Sequence, residues 1–318
     1  MKTIVIFCRT IDPDAYPFHD EYLWNSYLDL LLAIKARGAM AYFATDTATY
    51  LGDGNFKVAY TAETKKPVRE FTKVGDIRAG LVLEKGGFTA DDVVVINPPF
   101  VNRVAESKSE TYRIFGQYQP LTIVCGNRRE LERAMDRVQG DLVVVKHPVS
   151  SGGESVYIGT RAEVLGEAPD AGYPLLVQEF MDTSVGIEGI APGIHDLRVK
   201  IGGGQILGGM VRVPAPGEYR ANRKQGGSIQ HLYPDEIPAE AKRMALEIDR
   251  YFADYPRFYC VDMANTTRGW KLIELNHKPG LSPASVSPQA AFVNEKIAEY
   301  LIEVCPQEGY NRAGSFAN

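Results

Sequence analysis

The sequence lacks the features that mark several common classes of protein. Only four cysteines occur among 318 residues, and their wide spacing excludes the C-x-x-C pairs of zinc and redox sites. No apolar run reaches the length that spans a bilayer, and the run at the N-terminus is too short for a signal peptide. The net charge of −5 argues against a general nucleic-acid binder. We therefore expect a cytoplasmic protein that binds neither membranes nor nucleic acid.

Several catalytic and nucleotide-binding signatures are missing too. The chain has neither the Walker pattern G-x-x-x-x-G-K-[ST] nor the Rossmann glycine fingerprint. It has no G-x-S-x-G or Cys-His arrangement for a nucleophile, and its five histidines do not form H-E-x-x-H. Four histidines lie beside the motifs described below, and we interpret them as local hydrogen-bonding residues: His147, His195, His231 and His277.

The first hundred residues predict a small domain with a parallel sheet. A strand "KTIVIFC" precedes a helix "YLWNSYLDLLLAIKARG", and "AMAYFATD" and "DDVVVINPP" read as further strands. This order requires crossover connections, so residues 1–104 are predicted to form an N-terminal α/β domain. Residues 16–24 fit a substrate loop and the polar start of the helix equally well. Arg9, at the end of the first strand, is a candidate substrate contact.

A glycine-rich loop lies between two apolar strands in "LVVVKHPVSSGGESVYIG". It follows a predicted helix at residues 105–116, and a short strand and amphipathic helix in "LTIVCGNRRELERAMDRV". A Gly-Gly tip alone would fit an ordinary hairpin. Here the backbone N–H groups of Ser150, Ser151, Gly152 and Gly153 can surround anionic oxygens, and Lys146 at the strand end adds a positive charge. The segment therefore predicts a phosphate-binding loop.

A second hairpin is predicted from "RFYCVDMA" to "WKLIELN", with "NTTRG" as its turn. Because side chains alternate along a strand, Asp262 would lie opposite Glu274, with Asn276 on the same face. The apolar face would then take Val261, Met263, Ile273 and Leu275. An ordinary half-exposed hairpin explains this pattern without any function. However, directly opposed like charges repel, and no Lys or Arg of the hairpin alternates into this face.

A divalent cation would resolve that repulsion. Mg²⁺ prefers hard oxygen ligands and usually completes its shell with water and substrate phosphates. Asp262, Glu274 and Asn276 are therefore predicted metal ligands, with Mn²⁺ as a substitute ion. If the face holds a metal, amides in place of the two acids would leave the fold intact, and even relieve repulsion, while abolishing activity.

The order of these motifs resembles the ATP-grasp superfamily of carboxylate-amine ligases. The ordered series is the lysine, the glycine loop, "QEF", "DLR", "RAN" with Gly-Gly, a lone aspartate and "ELNHKPG". It is most similar to the branch containing glutathione synthetase and the ligases that add glutamate to a ribosomal protein tail. The resemblance covers roughly residues 100–305. It implies an α/β (α+β) ATP-grasp fold with a central subdomain at 105–181, a C-terminal subdomain at 182–305 and a tail at 306–318.

The resemblance also implies a nucleotide site. Lys146 and Lys108 match lysines that contact the ATP phosphates, although Ser107 stands where an aspartate usually precedes the second of these. The hinge strand that pairs with adenine through its backbone matches Gln178, Glu179, Phe180 and Met181. Asp196 matches a ribose contact, and Arg220 and Asn222 match a pair near the phosphates.

The activity implied by the resemblance is ADP-forming ligation of a small-molecule carboxylate, of amino-acid or peptide type, to an amine. Arg212 matches the arginine that binds the carboxylate and its phosphorylated form, with Arg198 as a competitor. The glycine loop would act as a lid over the acyl phosphate. A catalytically silent ATP-binding protein is the alternative, and a carboxylase acting on a separate biotin carrier is a weaker one. A homodimer stays open, because no residue indicates it.

Overall fold

Three β-sheets follow one another along the chain. The computed structural model describes residues 1–62, 69–149, 155–169, 171–219 and 227–307. Within these residues the sheets have seven, four and five strands. Each sheet has an apolar core of its own, and α-helices cover their faces.

The N-terminal sheet is mixed. Strands β2, β1, β6 and β7 lie side by side in that order and are all parallel, which confirms the predicted α/β character. An antiparallel edge of β3, β4 and β5, absent from the prediction, extends it. The elements are β1 (Thr3–Phe7), α1 (Glu21–Ala36), β2 (Met40–Ala44), β3 (Tyr50–Gly52), β4 (Asn55–Ala62), β5 (Phe71–Arg78), β6 (Leu81–Glu84) and β7 (Val94–Ile96).

Local signals explain the limits of α1. Asp20 caps its N-terminus by accepting a hydrogen bond from the N–H of Leu23, and Gly38 follows its last turn with φ of +80°. Phe18, just before the cap, is buried and packs edge-on against Trp24. This packing supports the interpretation of residues 16–24 as the start of the helix, at least for Phe18 and Trp24.

The central region begins with two short helices in place of the single predicted one. The prediction of one helix at 105–116 was wrong in its start, because Pro99 occupies the first helical position, where its missing N–H costs nothing. The chain then breaks at Ser107. The elements are α2 (Pro99–Glu106), α3 (Lys108–Phe115), β8 (Thr122–Cys125), α4 (Arg128–Met135), β9 (Leu142–Lys146), β10 (Val156–Thr160), α5 (Arg161–Glu167) and β11 (Leu175–Glu179).

The central and C-terminal sheets are antiparallel. The central order is β10-β9-β11-β8, so the two strands flanking the glycine loop do pair as predicted. The C-terminal order is β14-β13-β12-β15-β16. Its elements are β12 (Asp196–Gly202), β13 (Gln205–Val213), β14 (Ser228–Leu232), α6 (Ala239–Asp249), β15 (Phe258–Thr266), β16 (Gly269–Asn276) and α7 (Pro288–Val304).

Packing crosses the boundaries between these regions. Helix α7 lies against α1, and its residues Ile297 and Leu301 are fully buried in the core cluster of the N-terminal sheet. The buried amide of Asn97 also exchanges hydrogen bonds with the backbone of Phe258, at 2.6 and 2.8 Å. The N-terminal and C-terminal sheets are thus joined directly. None of the helices in the described ranges has the length and apolarity needed to cross a bilayer.

Candidate active site

A cavity of about 520 Å³ opens between the central and C-terminal sheets. Strands β9, β10 and β11 form one wall, β12, β13, β15 and β16 form the other, and α2 and α3 close one side. The lining includes eleven of the predicted residues: Lys108, Lys146, Gln178, Phe180, Met181, Asp196, Arg198, Arg212, Asp262, Glu274 and Asn276. Residues separated by more than 150 positions thus meet in one place.

Lys146 is the buried cation of the central wall. Its side chain is 6% exposed, and its ammonium donates to Oε1 of Gln178 at 2.9 Å. The amide of Gln178 in turn donates to the hydroxyl of Thr122 at 2.6 Å, which fixes its orientation. Burial lowers the pKa of Lys146 to about 8, Lys108 adds to this decrease, and Glu274 opposes it. An anion in the cavity would favour the charged form.

Lys108 is held in place by the start of α3. Ser107 caps this helix by accepting a hydrogen bond from the N–H of Glu110, so the serine performs the capping that an aspartate could perform there. The ammonium of Lys108 lies 3.4 Å from Oε2 of Glu274. The two lysines and Glu274 therefore share one end of the cavity.

The register of the second hairpin confirms that Asp262 lies opposite Glu274. It also corrects one part of the prediction. The pairing shifts after Asp262, so that Met263 faces Leu272 and Ile273 becomes the extra residue of a β-bulge. Leu272 therefore enters the core, while Ile273 lines the cavity and its carbonyl accepts a hydrogen bond from Gln119 at 3.0 Å.

Neighbouring strands supply the positive charge that the hairpin itself lacks. Arg198 lies opposite Asp262 on β12 and binds its carboxylate through two nitrogens, at 2.8 and 2.5 Å. Arg212, on β13, lies 3.1 Å from the same carboxylate and 2.6 Å from Oδ1 of Asp196. A divalent cation was predicted to resolve the repulsion between these acids; for Asp262 two arginines of neighbouring strands already offset the charge, and the residues of the hairpin alone do not reveal them.

The two aspartates respond differently to the same surroundings. Burial raises the pKa of Asp196 to about 6, although Arg212 opposes the increase. Burial acts in the same direction on Asp262, but Arg198 and Arg212 outweigh it and hold its pKa below the usual range. Asp262 is thus a firmly ionised carboxylate between two guanidinium groups, which is a typical arrangement for positioning arginines.

The predicted magnesium ligands fit a hard cation by their chemistry. Asp262, Glu274 and Asn276 all line the cavity from adjacent, paired strands, and each side chain carries an oxygen of the kind that Mg²⁺ prefers. Among the residues that the structure describes, no three His, Cys, Asp or Glu side chains form a metal-binding group. The set therefore depends on the amide oxygen of Asn276 and on further ligands from water or substrate. Such partial protein coordination is usual for Mg²⁺.

The hinge after β11 contributes Phe180 and Met181, but not Glu179, to the lining of the large cavity. Phe180 and Met181 line the large cavity, as predicted for residues beside adenine. The carboxylate of Glu179 faces the opposite side, where it accepts from the N–H of Gln139 at 3.2 Å and lies 3.4 Å from Arg268. The N–H of Glu179 donates to the carbonyl of Leu121 at 3.0 Å. The carboxylate of Glu179 therefore holds the strand against its neighbours, and the N–H of Glu179 is already hydrogen-bonded within the protein.

Several residues that line the cavity belong to no motif recognised in the sequence. Tyr219 packs edge-on against Phe180 with ring centroids 5.1 Å apart, and Ile158 contributes an apolar surface. His195 was predicted as a local hydrogen-bonding residue, and this is confirmed: Nδ1 lies 2.8 Å from the carbonyl of Gly193 and Nε2 accepts from the N–H of Asn265. Burial lowers its pKa, in keeping with a neutral ring.

Some predicted residues do not line this cavity or lie outside the described ranges. Arg9 is exposed at the carboxyl end of β1 and is not part of the lining. The predicted phosphate-binding residues outside the described residues are Ser150, Ser151, Gly152, Gly153, Arg220 and Asn222. Their roles stay predictions.

The fold and the two-walled cavity define an ATP-grasp protein. A ligase from Chryseobacterium gregarium, solved with ADP and a leader and core peptide, aligns with a TM-score of 0.63 over 98% of this chain and 99% of that one, at 14% identity. The macrocyclase MdnC of Microcystis aeruginosa aligns with a TM-score of 0.60 over 95% of this chain and 99% of its own, at 15% identity. At such low identity these similarities show the fold alone.

The RimK-like ATP-grasp domain model matches residues 116–301, more than half of the sequence. The chain therefore belongs to the RimK-like ATP-grasp family. A relative from Rhodopirellula baltica, named "Probable alpha-L-glutamate ligase", is 27% identical over 184 residues, which are 56% of this chain and 42% of the relative. One from Shewanella halifaxensis with the same name is 31% identical over 151 residues, 46% of this chain and 30% of the relative. The matches thus span less than half of either relative.

Proposed function

We propose that this protein is an ATP-dependent, ADP-forming ligase that joins a carboxylate to an amine. The observation that supports this best is Asp262 fixed between Arg198 and Arg212, at the wall of the cavity facing Lys146 and Lys108. A pure nucleotide-binding protein needs the lysines for phosphate. It has no need for two buried arginines that share one aspartate on the opposite wall.

The nucleotide is proposed to bind between the sheets. Its base would lie beside Phe180, Met181 and the apolar side chain of Ile158, and its phosphates would lie toward Lys146 and Lys108. Asp196, the first residue of β12, is the proposed ribose contact. Asp262, Glu274 and Asn276 would hold Mg²⁺, which would supply positive charge against the phosphates.

The chemistry has two steps. An oxygen of the substrate carboxylate attacks the γ-phosphorus of ATP, ADP leaves, and an acyl phosphate forms. The amine nitrogen then attacks the acyl carbon, phosphate leaves, and an amide bond forms. Arg212 is the proposed ligand of the carboxylate and the acyl phosphate. Arg198 is the second candidate for this role, because it binds the same aspartate, Asp262. Their fixed donors would stabilise the oxyanion of the second step.

The proposed substrates are of amino-acid or peptide type. Relatives are named for L-glutamate, and the two solved relatives hold peptides.

An ADP-release screen with hydroxylamine tests this function. Candidate amino acids and small carboxylates are supplied with ATP and Mg²⁺, and hydroxylamine traps an acyl phosphate as a hydroxamate. Equal amounts of ADP and hydroxamate, dependent on both Mg²⁺ and one carboxylate, are expected. Tight ATP binding with no ADP formed from any carboxylate would instead favour the catalytically silent alternative.

A further inference from the structure

Thr122 lies in a row of side chains that crosses the central sheet on its cavity face. The register sets Gln178 between Val144 on one side and Thr122 on the other. Val144 and Gln178 line the cavity, whereas Thr122, the first residue of the edge strand β8, does not. The side chain of Thr122 is 5% exposed. A buried hydroxyl needs hydrogen-bond partners, so its contacts show what this threonine does.

The hydroxyl of Thr122 belongs to a chain of hydrogen bonds that begins at Lys146. The ammonium of Lys146 donates to Oε1 of Gln178 at 2.9 Å, and Nε2 of Gln178 donates to the hydroxyl at 2.6 Å. The hydroxyl donates in turn to the carbonyl of Pro120 at 3.0 Å. All three side chains are 6% exposed or less, so little water competes for these bonds.

The chemistry of the groups permits this chain in one direction only. An ammonium has donors and no acceptor, so the amide of Gln178 must turn its oxygen toward Lys146. A backbone carbonyl only accepts, so the hydroxyl of Thr122 gives its proton to Pro120 and keeps its lone pairs for the amide nitrogen. Without the hydroxyl that nitrogen would lose its buried acceptor, and a turned or displaced amide would no longer hold the ammonium.

The far end of the chain is firmly held. The ring of Pro120 restricts its own backbone, and the carbonyl of the next residue, Leu121, accepts from the N–H of Glu179 at 3.0 Å. A lysine side chain has many rotamers, so an ammonium that is fixed before a ligand arrives loses less entropy on binding. Within the described residues, Gln178 is the hydrogen-bond acceptor that fixes Lys146.

We propose that Thr122 is a positioning residue of the nucleotide site: through Gln178 it holds the ammonium of Lys146 in place to receive a phosphate oxygen. This role depends on the proposed function, because that function places the phosphates at Lys146. Thr122 belongs to none of the sequence motifs and does not touch the cavity, so it acts only through the two residues that do.

A double-mutant cycle tests the positioning role. The dissociation constant of ATP is measured by calorimetry for wild type, Thr122→Val, Lys146→Met and the double variant. Thr122→Val alone is expected to raise it about fivefold, the typical net effect of one hydrogen bond. In the Lys146→Met background the same substitution is expected to change it by less than about 1.5-fold, because the ammonium that it positions is gone. An equal increase in both backgrounds would overturn the role, as would unchanged affinity in folded Thr122→Val.

Two further variants control for packing. Thr122→Ser keeps the hydroxyl and is expected to keep the dissociation constant within about twofold of wild type. Thr3→Val removes the hydroxyl of another buried threonine at the start of a strand, in the N-terminal sheet, and is expected to leave ATP binding unchanged. Should Thr122→Val not fold, Thr122→Ala, which introduces no bulk, serves in its place.

The titration of Lys146 separates this proposal from the proposed function, because it needs no nucleotide. Carbon-13 NMR of ε-labelled lysine follows it, with the signal assigned by its loss in Lys146→Met. Burial lowers this pKa to about 8, and the charges of Lys108 and Glu274, which also act on it, are the same in every Thr122 variant. Loss of an oriented acceptor disfavours the charged form, so the pKa should be lower still in Thr122→Val and unchanged in Thr122→Ser.

The two failures can then be told apart. A wild type that binds no ATP but shows this difference in the pKa of Lys146 refutes the proposed function and leaves the positioning role supported. A wild type that binds ATP, with equal pKa values for Lys146 in all variants and equal effects in both backgrounds of the cycle, refutes the positioning role alone.

Discussion

Buried lysines determine the energetics of this site at the scale of single residues. Lys146, Lys85 and Lys200 all have pKa values lowered by burial to about 8. Each one costs stability in the empty protein, because a buried ammonium has lost its hydration. A group that costs stability and lines a cavity, as Lys146 does, is a candidate for ligand binding rather than for folding.

Lys146→Met should weaken ATP binding while leaving the fold intact. The methionine keeps most of the apolar volume, so the chief loss is a charge beside the proposed phosphate position. The dissociation constant of ATP is expected to rise at least tenfold, about 1.4 kcal/mol, with the melting temperature unchanged or higher. Lys73→Met, on the exposed edge strand β5, is the matched control. Unchanged affinity in Lys146→Met would remove this lysine from the nucleotide site.

The pH dependence of stability should reveal the cost of Lys200. A base whose folded pKa is lowered to about 8 is charged in both states below that pH, so its full penalty is present there. Between about pH 8 and its unfolded value the folded form releases the proton first, so stability rises with pH. Lys200→Met should therefore be more stable than wild type at pH 7, by about 1–3 kcal/mol, and the gain should shrink by pH 10. Denaturant unfolding at both pH values measures this; a gain independent of pH would contradict it.

The cap of α3 shows how an element positions a functional group. Ser107→Ala removes the acceptor for the N–H of Glu110 and should cost about 1 kcal/mol. Lys108, the first residue of the helix, would lose its fixed position against Glu274. Ser107→Asp restores an acceptor and should keep stability within about 0.5 kcal/mol of wild type. The check is denaturant unfolding together with the KM for ATP, which should rise only in the alanine variant.

The β15–β16 hairpin separates charge effects on folding from those on catalysis. Glu274 is one-third exposed and has Lys108 at 3.4 Å, so Glu274→Gln should fold normally. ADP formation should fall at least a hundredfold, because an anionic ligand for the proposed Mg²⁺ is lost. Assays across a range of Mg²⁺ concentrations measure this, with Glu240→Gln on the exposed start of α6 as the control. Full activity in Glu274→Gln would refute the metal assignment.

Asp262→Asn should behave differently from Glu274→Gln, which corrects the expectation from sequence. Asp262 is 1% exposed and neutralises two arginines. The amide would leave those guanidinium groups without their buried counter-charge, at a cost of about 2–4 kcal/mol. A lower melting temperature together with lost ADP formation is expected. A variant as stable as wild type would show that the arginines find compensation elsewhere.

How far the sequence predicted these elements depends on the range of the interactions involved. Alternation along a strand and a short turn are local, so the pairing of Asp262 with Glu274 followed from the residues themselves. The bulge at Ile273 did not, and there the carbonyl accepts a hydrogen bond from Gln119, which belongs to a distant segment. The pairing of Asp262 with Arg198 also escaped prediction, since it requires knowing that β12 lies beside β15.

At the scale of the whole molecule, the motif order carried more information than any motif alone. It predicted the ATP-grasp fold, the strands of both walls and eleven residues of the cavity. The antiparallel edge of the N-terminal sheet was missed, because β5 alternates exposed polar residues with few apolar ones. The position of α7 was missed too. Its apolar stripe shows that it packs, but not that its partner is α1 at the other end of the chain.

The core around α7 and the core of the central sheet should respond separately to mutation. Ile297 of α7 is fully buried in the core shared with β1 and α1, whereas Val143 of β9 belongs to the separate core of the central sheet. Ile297→Ala should cost about 2–5 kcal/mol and increase amide hydrogen exchange in β1, α1 and the adjacent β13, while β9 and β11 keep their protection. Val143→Ala is the reciprocal control, and it should increase exchange in the central sheet alone. Exchange that rises equally in all three sheets after either substitution would show instead that the protein opens as one cooperative unit.

Because the nucleotide is proposed to contact the central and C-terminal walls together, saturating ADP should reduce exchange in both after the Val143 substitution and leave β4 and β5 unaffected.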